Sequence, residues 1–411
     1  MTGSAVAVQR WVTVLANLSV LLTGLNGGWV GPFLPQMAEA QGAALDRAGL
    51  LVSAKFLGFM ITVVLTGAAL DRWGGRVVLG LSLALMAVGQ LGIATLPGLP
   101  ALLASGLVLG LGFGILDVAG HVVIVQFNRE RVTAALNYLN VSFAVGALVG
   151  PLIAGVALRG GVPYRAVYGA GAAVAVLFAL LYVATPLRHE RTVRVRGGSH
   201  PGSPARESGL LARPVIWALG GVMLLYVGAE AGLGAWLFTY LRRVGGLEEA
   251  VASWSVSLFW VGLVGGRLLG ARLADRVTTG ALTLAALALT SAALAGLAFG
   301  PSWLALQLPA AVLVGVGLGP IYPNVIAVGA ALFPQRVSTM TSRLITFASI
   351  GGIAGPWVVG RALVLGGPRQ AMAVVCAMGL GMLALFWLAE RLPGEARAGE
   401  ARPVAAEVGT D

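Results

Sequence analysis

Two carboxylates lie well inside apolar stretches of this sequence. Of sixteen acidic residues, only Asp117 and Glu230 fall in the interior of long hydrophobic runs. A charged side chain at the centre of a bilayer costs about 2.5–3.5 kcal/mol on insertion scales, so such residues usually face a cavity or a partner and often relay protons. The sequence therefore predicts a proton-coupling role for both acids. A carboxyl group that serves packing alone is the alternative.

A histidine follows the first of these acids by one helical turn. His121 lies four residues after Asp117, which places both side chains on one face of a helix. Histidine titrates near neutral pH, so the pair could pass a proton. A simple hydrogen bond from His121 to a solute or to the backbone is equally compatible with the spacing. No metal site is predicted, because no third ligand of suitable type lies nearby in the sequence.

Amide and aromatic side chains also occur within the apolar runs. Amides hydrogen-bond to hydroxyl groups, and aromatic faces stack on C–H surfaces, which is the chemistry of a site for a polar solute. Each of these residues could instead serve helix packing, and Trp236 and Tyr240 could belong to an outer aromatic belt. The predicted solute-binding residues are Asn26, Asn137, Asn140, Tyr226, Trp260, Tyr322 and Asn324.

Two cations lie within the runs. Lys55, the only lysine, is interpreted as a residue that extends to the outer surface, with a cation lining an outer vestibule for anionic solutes as the alternative. Arg267 is interpreted as structural, either reaching the inner surface or pairing with a neighbouring helix.

Composition places these residues in a membrane protein. Hydrophobic residues make up 58% of the 411 residues and charged residues 10%, against about 25% charged in soluble domains. Apolar runs of about 20 residues can each cross a bilayer, whereas a β-barrel would need short alternating segments. The twelve predicted spans are 11–35, 48–70, 77–96, 101–126, 134–158, 164–184, 214–241, 250–271, 279–299, 304–332, 339–363 and 369–389.

Basic residues predict the orientation. With the amino terminus inside, eighteen arginines fall in cytoplasmic segments and seven outside, so both termini are expected in the cytoplasm of a cell (inner) membrane. The net charge of +11 is explained by this bias and needs no nucleic-acid partner.

The chain reads as two similar halves. An Asp-Arg pair interrupts the apolar pattern at Asp71 and again at Asp275, 204 positions later (275 − 71). Internal duplication in a membrane protein is typical of transporters that move one half against the other around a central site. The predicted units are a six-helix bundle over 1–185, a cytoplasmic linker over 186–213, a second six-helix bundle over 214–392 and a polar tail over 393–411.

The first interruption has the pattern Gly-x-x-x-Asp-Arg-x-Gly-x-Arg and resembles the loop between spans two and three of the major facilitator superfamily. Asp71 could face the amino end of span eleven, near Ser338 and Thr339, where exposed N–H groups attract a carboxylate. That contact would hold the cytoplasmic side shut; an ordinary charged turn is the alternative. The predicted gating residues are Gly67, Asp71, Arg72, Gly74, Arg76, Asp275 and Arg276.

Four or five spans resemble the fucose-permease-like sugar symporters within that superfamily. The similar segments are Gly112–Asp117, Tyr226–Glu230 and Pro320–Asn324, and in that family an acid matching Asp117 is associated with sugar and proton handling. This sequence departs from the pattern at Gly31, where the family has a second acid, and at His121, where it tends to have Asn.

The expectation is therefore an all-α integral membrane protein with twelve transmembrane helices in two pseudo-symmetric bundles, the major facilitator fold. The expected function is transport of a small polar solute, such as a sugar, by proton-coupled alternating access, with sodium as the other coupling ion. A proton-coupled exporter of drugs or metabolites is the alternative, because Gly146–Pro151 resembles a motif of exporters. We expect no cofactor and no enzymatic activity, and each copy should transport alone.

Overall fold

The structure is a computed structural model, and it describes residues 3–128, 131–185, 213–274, 276–334 and 336–392. Ten helices account for nearly all of these residues, and each is long and apolar enough to cross a membrane. They are α1 (Gly3–Ala40), α2 (Leu45–Thr95), α3 (Leu99–Phe127), α4 (Val132–Arg159), α5 (Tyr164–Ala184), α6 (Pro214–Gly245), α7 (Glu249–Leu273), α8 (Thr279–Phe299), α9 (Leu304–Leu332) and α10 (Val337–Arg391).

Two of the helices are about twice as long as a membrane span. α2 has 51 residues and α10 has 55, which at 1.5 Å per residue is about 75–80 Å each. In each, one glycine leaves the helical conformation: Gly74 has φ 74° and ψ 163°, and Gly367 has φ 84° and ψ 179°. Positive φ is accessible to glycine without steric cost, so each long helix consists of two segments that meet at a single residue.

The helices agree with the predicted spans. Eight predicted runs each fall within one helix, and the remaining four fall in pairs on the two segments of α2 and of α10. Within lipid a helix satisfies its backbone hydrogen bonds internally, so long apolar runs take this form. The linker over 186–213, except Arg213, and the tail over 393–411 lie outside the described residues, as does Asp275.

The helices form two groups that meet along three lines. α1 to α5 contact one another, with α1 on α4 and α2 on both α3 and α5, while α6 to α10 do likewise, with α6 on α10 and α9 on both α7 and α8. Between the groups, α1 contacts α6, α2 contacts α10 and α4 contacts α7. We call the two groups the first half and the second half.

Within each half, glycines allow helix backbones to approach closely. A Cβ on Gly110 of α3 would overlap the Lys55 carbonyl of α2, and a Cβ on Gly266 of α7 would overlap the Val316 carbonyl of α9. Helix association in lipid depends on such packing of small residues, because there is no hydrophobic force between apolar helices.

Adjacent glycines of α7 test this packing. We expect Gly266→Ala to destabilise the protein by about 1–3 kcal/mol, because the added methyl group must push α9 away. Gly265→Ala is the matched control, since a Cβ there would have no described atom within 4 Å. Thermal unfolding of the purified variants measures both, and equal stabilities would contradict the packing.

Candidate functional site

The two halves are held together at one end by an ion pair. A guanidinium nitrogen of Arg361, in α10, lies 2.9 Å from a carboxylate oxygen of Asp46, in the first turn of α2. The Asp46 side chain is only 5% exposed, so this carboxylate is shielded from water and its charge is balanced by an arginine of the other half. We call this the closed end of the molecule.

Hydrogen bonds between α4 and α7 seal the same end. The hydroxyl groups of Ser253 and Ser257 donate to the backbone carbonyls of Pro151 and Leu148, at 2.6 Å and 2.8 Å. Nearby, Arg159 of α4 lies 3.7 Å from Glu248 and stacks on the Trp254 ring, with 4.4 Å to the ring centroid. α4 and α7 therefore interact through both backbone and charged groups.

Away from this end the halves diverge. Gly31 of α1 abuts the Gly234 carbonyl of α6, but one turn earlier a Cβ on Gly27 would have no described atom within 4 Å. On α2, Phe56 lies against Gly352 of α10. Eleven residues later on the same face of α2, a Cβ on Gly67 would have no described atom within 4 Å. A cavity that widens towards the other end, here called the open end, therefore separates the halves.

Asp117 faces this cavity from the first half. Its side chain is 49% exposed although it lies well inside α3, and that of His121 is 39% exposed. The His121 Nδ1 atom is 2.7 Å from the Asp117 backbone carbonyl and 3.9 Å from its carboxylate. A carbonyl can only accept, so Nδ1 carries the proton in this contact and Nε2 is left as an acceptor.

A charged cluster faces Asp117 from the second half. Glu230 and Tyr226 of α6 interact electrostatically with Arg267 of α7. The Tyr226 ring lies 5.8 Å from that of Tyr322, in α9. Tyr322 in turn lies within electrostatic range of both Glu230 and Asp117, so the two acids share one region although they belong to different halves.

The amides predicted to bind solute divide into two groups. Asn137 and Asn140 are exposed, and Asn140 lies eleven residues, about three turns, before Pro151 on the side of α4 that meets α7, so it faces the cavity. Its amide donates to the Leu136 carbonyl at 2.9 Å. Asn26 is instead 2% exposed and donates to Leu22 of its own helix at 3.0 Å. It has no access to the cavity in this conformation.

Among the other predicted residues, Trp260 is 8% exposed and its ring N–H has no hydrogen-bond partner. The side-chain amide nitrogen of Asn324 also has no hydrogen-bond partner. Trp236 and Tyr240, by contrast, are buried and bonded: Trp236 donates to the Pro356 carbonyl at 2.7 Å, and Tyr240 donates to Gln307 at 2.6 Å. Both residues serve packing, and Trp236 lies against Gly49 of α2 as well as within the second half.

Lys55 does not extend to the outer surface as its sequence position suggested. Its ammonium group lies 5.4 Å from the centroid of the Phe113 ring, midway along α3. A cation over an aromatic face recovers part of the electrostatic energy lost on leaving water, which allows the lysine to stay in the interior.

The predicted gating residues that the structure describes lie at the open end. Gly74 provides the reversal between the two segments of α2, and Arg76 donates to the Val183 carbonyl of α5. Asp71, Arg72 and Arg276 are exposed. At Gly67 a Cβ would have no described atom within 4 Å, so no other helix packs closely against this glycine in this conformation.

Comparison with known proteins identifies the family. The family model described as Major Facilitator Superfamily matches residues 16–335 and 246–409. The chain belongs to the major facilitator superfamily. It is therefore a multi-pass membrane transporter and not an enzyme.

Relatives within the superfamily transport different solutes. The chain is 27% identical to the cyanate transport protein CynX of Escherichia coli over 93% of this chain and 97% of that protein. It is 29% identical to the sodium-dependent glucose transporter 1 of Rattus norvegicus, over 35% of this chain and 30% of that protein. It is 33% identical to the multidrug resistance protein MdtG of Serratia proteamaculans, over 34% and 36% of the two chains.

Solved structures share the fold. The nucleoside transporter NupG superposes with a TM-score of 0.79 at 13% identity, covering 92% of this chain and 99% of that one. A bacterial homologue of the human lysosomal transporter Spinster superposes with a TM-score of 0.76 at 16% identity, covering 93% and 97%.

Sequence reasoning left one feature of this superfamily member open and missed another. Arg267 was interpreted as structural, with pairing to a neighbouring helix as one alternative, and it interacts with Glu230 of α6. The pair Asp46–Arg361 was not expected, because its residues are 315 positions apart and only the packing of α2 on α10 joins them. The rarity of cations within spans was the available signal for Arg267.

Cysteine labelling tests the cavity. In a Cys376→Ala background, we expect Asn140→Cys to react readily with a water-soluble maleimide, because Asn140 is exposed in the cavity. Asn26→Cys is the matched control and should react at least about tenfold more slowly, because it is buried. Equal rates for the folded variants would show that the cavity is not open as described.

Proposed function

We propose that this protein is a secondary active transporter that moves a small polar solute, a sugar or a related metabolite, by proton-coupled alternating access. The observation that carries the proposal is the placement of Asp117 and Glu230 on opposite sides of one cavity, with Tyr322 within electrostatic range of both. In this proposal Asp117, His121 and Glu230 handle the proton. Solute contacts come from Asn137, Asn140, Tyr226, Trp260, Tyr322 and Asn324, and from Asn26 when the halves rearrange.

We further propose twelve membrane crossings in two six-helix bundles. Gly74 and Gly367 each divide a helix about twice the thickness of a membrane, so ten helices supply twelve crossings. The excess of arginine in the segments assigned to the cytoplasm supports cytoplasmic termini. With that orientation the closed end is extracellular and the cavity opens inward.

The gating residues fit this cycle. In the opposite, outward-open state, Asp71 would approach the amino end of α10, and the Asp46–Arg361 pair would separate. Asp275 and Arg276 would act similarly in the second half. Each movement exchanges contacts at one end for contacts at the other, as alternating access requires.

An exporter of drugs or metabolites that exchanges its substrate for protons is the second candidate. Gly146–Pro151 lies where α4 meets α1 and α7, and a Cβ on Gly146 would overlap the Leu21 carbonyl. The similarity to a multidrug resistance protein supports this alternative over about a third of the chain. Exposed amides in the cavity favour a polar solute instead.

Uptake into proteoliposomes separates these functions. A panel of sugars, organic acids and drugs is presented with an imposed proton gradient, sodium gradient or neither. Accumulation of a polar solute with the proton gradient is the expected result. Accumulation that requires sodium would show that sodium, and not the proton, is the coupling ion. Proton-driven extrusion of drugs would show that the protein is an exporter.

Substitutions at Asp117 and His121 test the coupling. We expect Asp117→Asn to abolish gradient-driven accumulation, because the amide cannot bind and release a proton, while exchange of solute across the membrane continues. His121→Asn should retain transport but shift its pH dependence. Counterflow and proton-driven uptake are measured on the same vesicles. Full accumulation by Asp117→Asn would contradict the assignment and move coupling to Glu230 or to sodium.

The ion pair at the closed end predicts a conformational effect. Asp46→Asn leaves Arg361 without its counter-charge, so we expect the population to shift towards the opposite state by about 1–3 kcal/mol. In a Cys376→Ala background, spin labels at Arg47→Cys and Arg243→Cys, both exposed at this end, should report longer distances. Glu39→Gln, another exposed acid at this end, is the control. An unchanged distance distribution for Asp46→Asn would show that the pair does not hold this end shut.

A further inference from the structure

Arg267 extends towards the middle of the membrane. α7 and α9 approach so closely that a Cβ on Gly319 would lie 2.6 Å from the Arg267 backbone nitrogen. Side chains of a helix tilt towards its amino end, and the amino end of α7 is at the closed end. The Arg267 side chain is thus directed away from the open end, beside Tyr226, Glu230 and Tyr322.

The helix packing supports this placement independently. A Cβ on Gly234 of α6 would lie 3.9 Å from the Trp260 ring of α7, and the two helices run antiparallel. Tyr226 and Glu230 precede Gly234 by two turns and one turn, and Arg267 follows Trp260 by two turns on the same face. The two helices therefore present Trp260, Glu230, Tyr226 and Arg267 to one another along a single seam.

This seam has more donors than acceptors. A guanidinium group offers five N–H donors. Tyr226 is fully buried and its hydroxyl group lies within interaction range of Arg267 and Glu230, whereas the ring N–H of Trp260, which is 8% exposed, has no hydrogen-bond partner. A buried donor without a partner is costly, so the Trp260 N–H is available to an acceptor that a ligand supplies. Glu230 supplies the one carboxylate of the seam.

We propose that Arg267, Tyr226 and Trp260 form an anion subsite that binds the carboxylate of a hydroxylated organic acid. This proposal rests on the transport function proposed above and narrows its solute class. The carboxylate matches the planar guanidinium, and the exposed amides of α4 would bind the hydroxyl groups. A neutral sugar would leave the buried donors of the seam without a strong acceptor.

Charge balance assigns a role to Glu230. With no solute, Arg267 and Glu230 carry opposite charges. When a carboxylate binds Arg267, Glu230 becomes a like charge beside it, and a proton on Glu230 removes this repulsion. The solute anion and the proton on Glu230 therefore bind together, and the net charge of the seam does not change when they bind.

Among the described residues, four ionisable groups face Glu230 at this level of the seam. The groups that face Glu230 are Tyr226 on its own helix, Arg267 of α7, Tyr322 of α9 and, across the cavity, Asp117 of α3. Lys55 of α2 lies over Phe113. In the helices that contact α6, the other charged residues among those described lie nearer to the ends of the predicted spans: Arg10, Glu39, Asp46, Arg47, Asp71, Arg72, Arg76, Glu249, Arg272, Arg343, Arg361, Arg369, Glu390 and Arg391.

Binding to the purified protein tests the subsite with matched solutes. Gluconate is compared with glucose, galacturonate with galactose and lactate with propane-1,2-diol, by calorimetry at pH 5.5 and pH 8. We expect the acid of at least one pair to bind more tightly than its neutral partner, and more tightly at the lower pH. Arg267→Gln should weaken that binding about tenfold or more. Arg272→Gln, an exposed arginine of the same helix, is the control and should leave it unchanged.

Glu230→Gln separates anion binding from a general loss of structure. We expect this variant to bind the acid at pH 8 about as tightly as the unaltered protein does at pH 5.5, whereas Glu39→Gln, an exposed acid far from the seam, should keep the pH dependence. Equal binding of acid and neutral partner, binding by no acid of the panel, or unchanged binding by Arg267→Gln would overturn the subsite. Proton-driven uptake of a neutral sugar would overturn the anion subsite and leave the proposed transport function intact. Binding of an acid without proton-driven uptake would support the subsite and overturn the proposed function.

Discussion

The approach of α7 to α9 at glycine is the packing constraint on which the charged cluster depends. Gly266 and Gly319 bring the two backbones into contact, which places Arg267 alongside Tyr322. A larger residue at either glycine would separate the helices and withdraw the guanidinium from Glu230. Small residues thus determine where charge can be carried inside the bilayer, where an isolated cation would be costly.

The ionisable groups are divided between the halves in a way that suits a moving interface. The first half carries Asp117 with His121, and the second carries Glu230 with Arg267. Arg267 offsets the charge of Glu230 within its own half, so movement of the halves can change the distance between the two acids without separating this pair.

Much of the fold could be predicted from the sequence, and less of the site. Apolar runs located all ten helices, because a membrane span has a length that hydropathy reveals directly. Asp117 and Glu230 were found because a charge within such a run is rare. The burial of Asn26 and the pairing of Asp46 with Arg361 depend on which helix faces lie together. That information is absent from the composition of any single span.

The seal between α4 and α7 takes its acceptors from the main chain of α4 and its donors from the side chains of Ser253 and Ser257. A carbonyl oxygen is present whatever side chain a residue carries. Substitutions at Leu148 or Pro151 therefore leave the acceptor in place, whereas loss of either serine deletes a donor. The hydrogen bonds of this seal thus depend on the side chains of α7 and only on the backbone of α4.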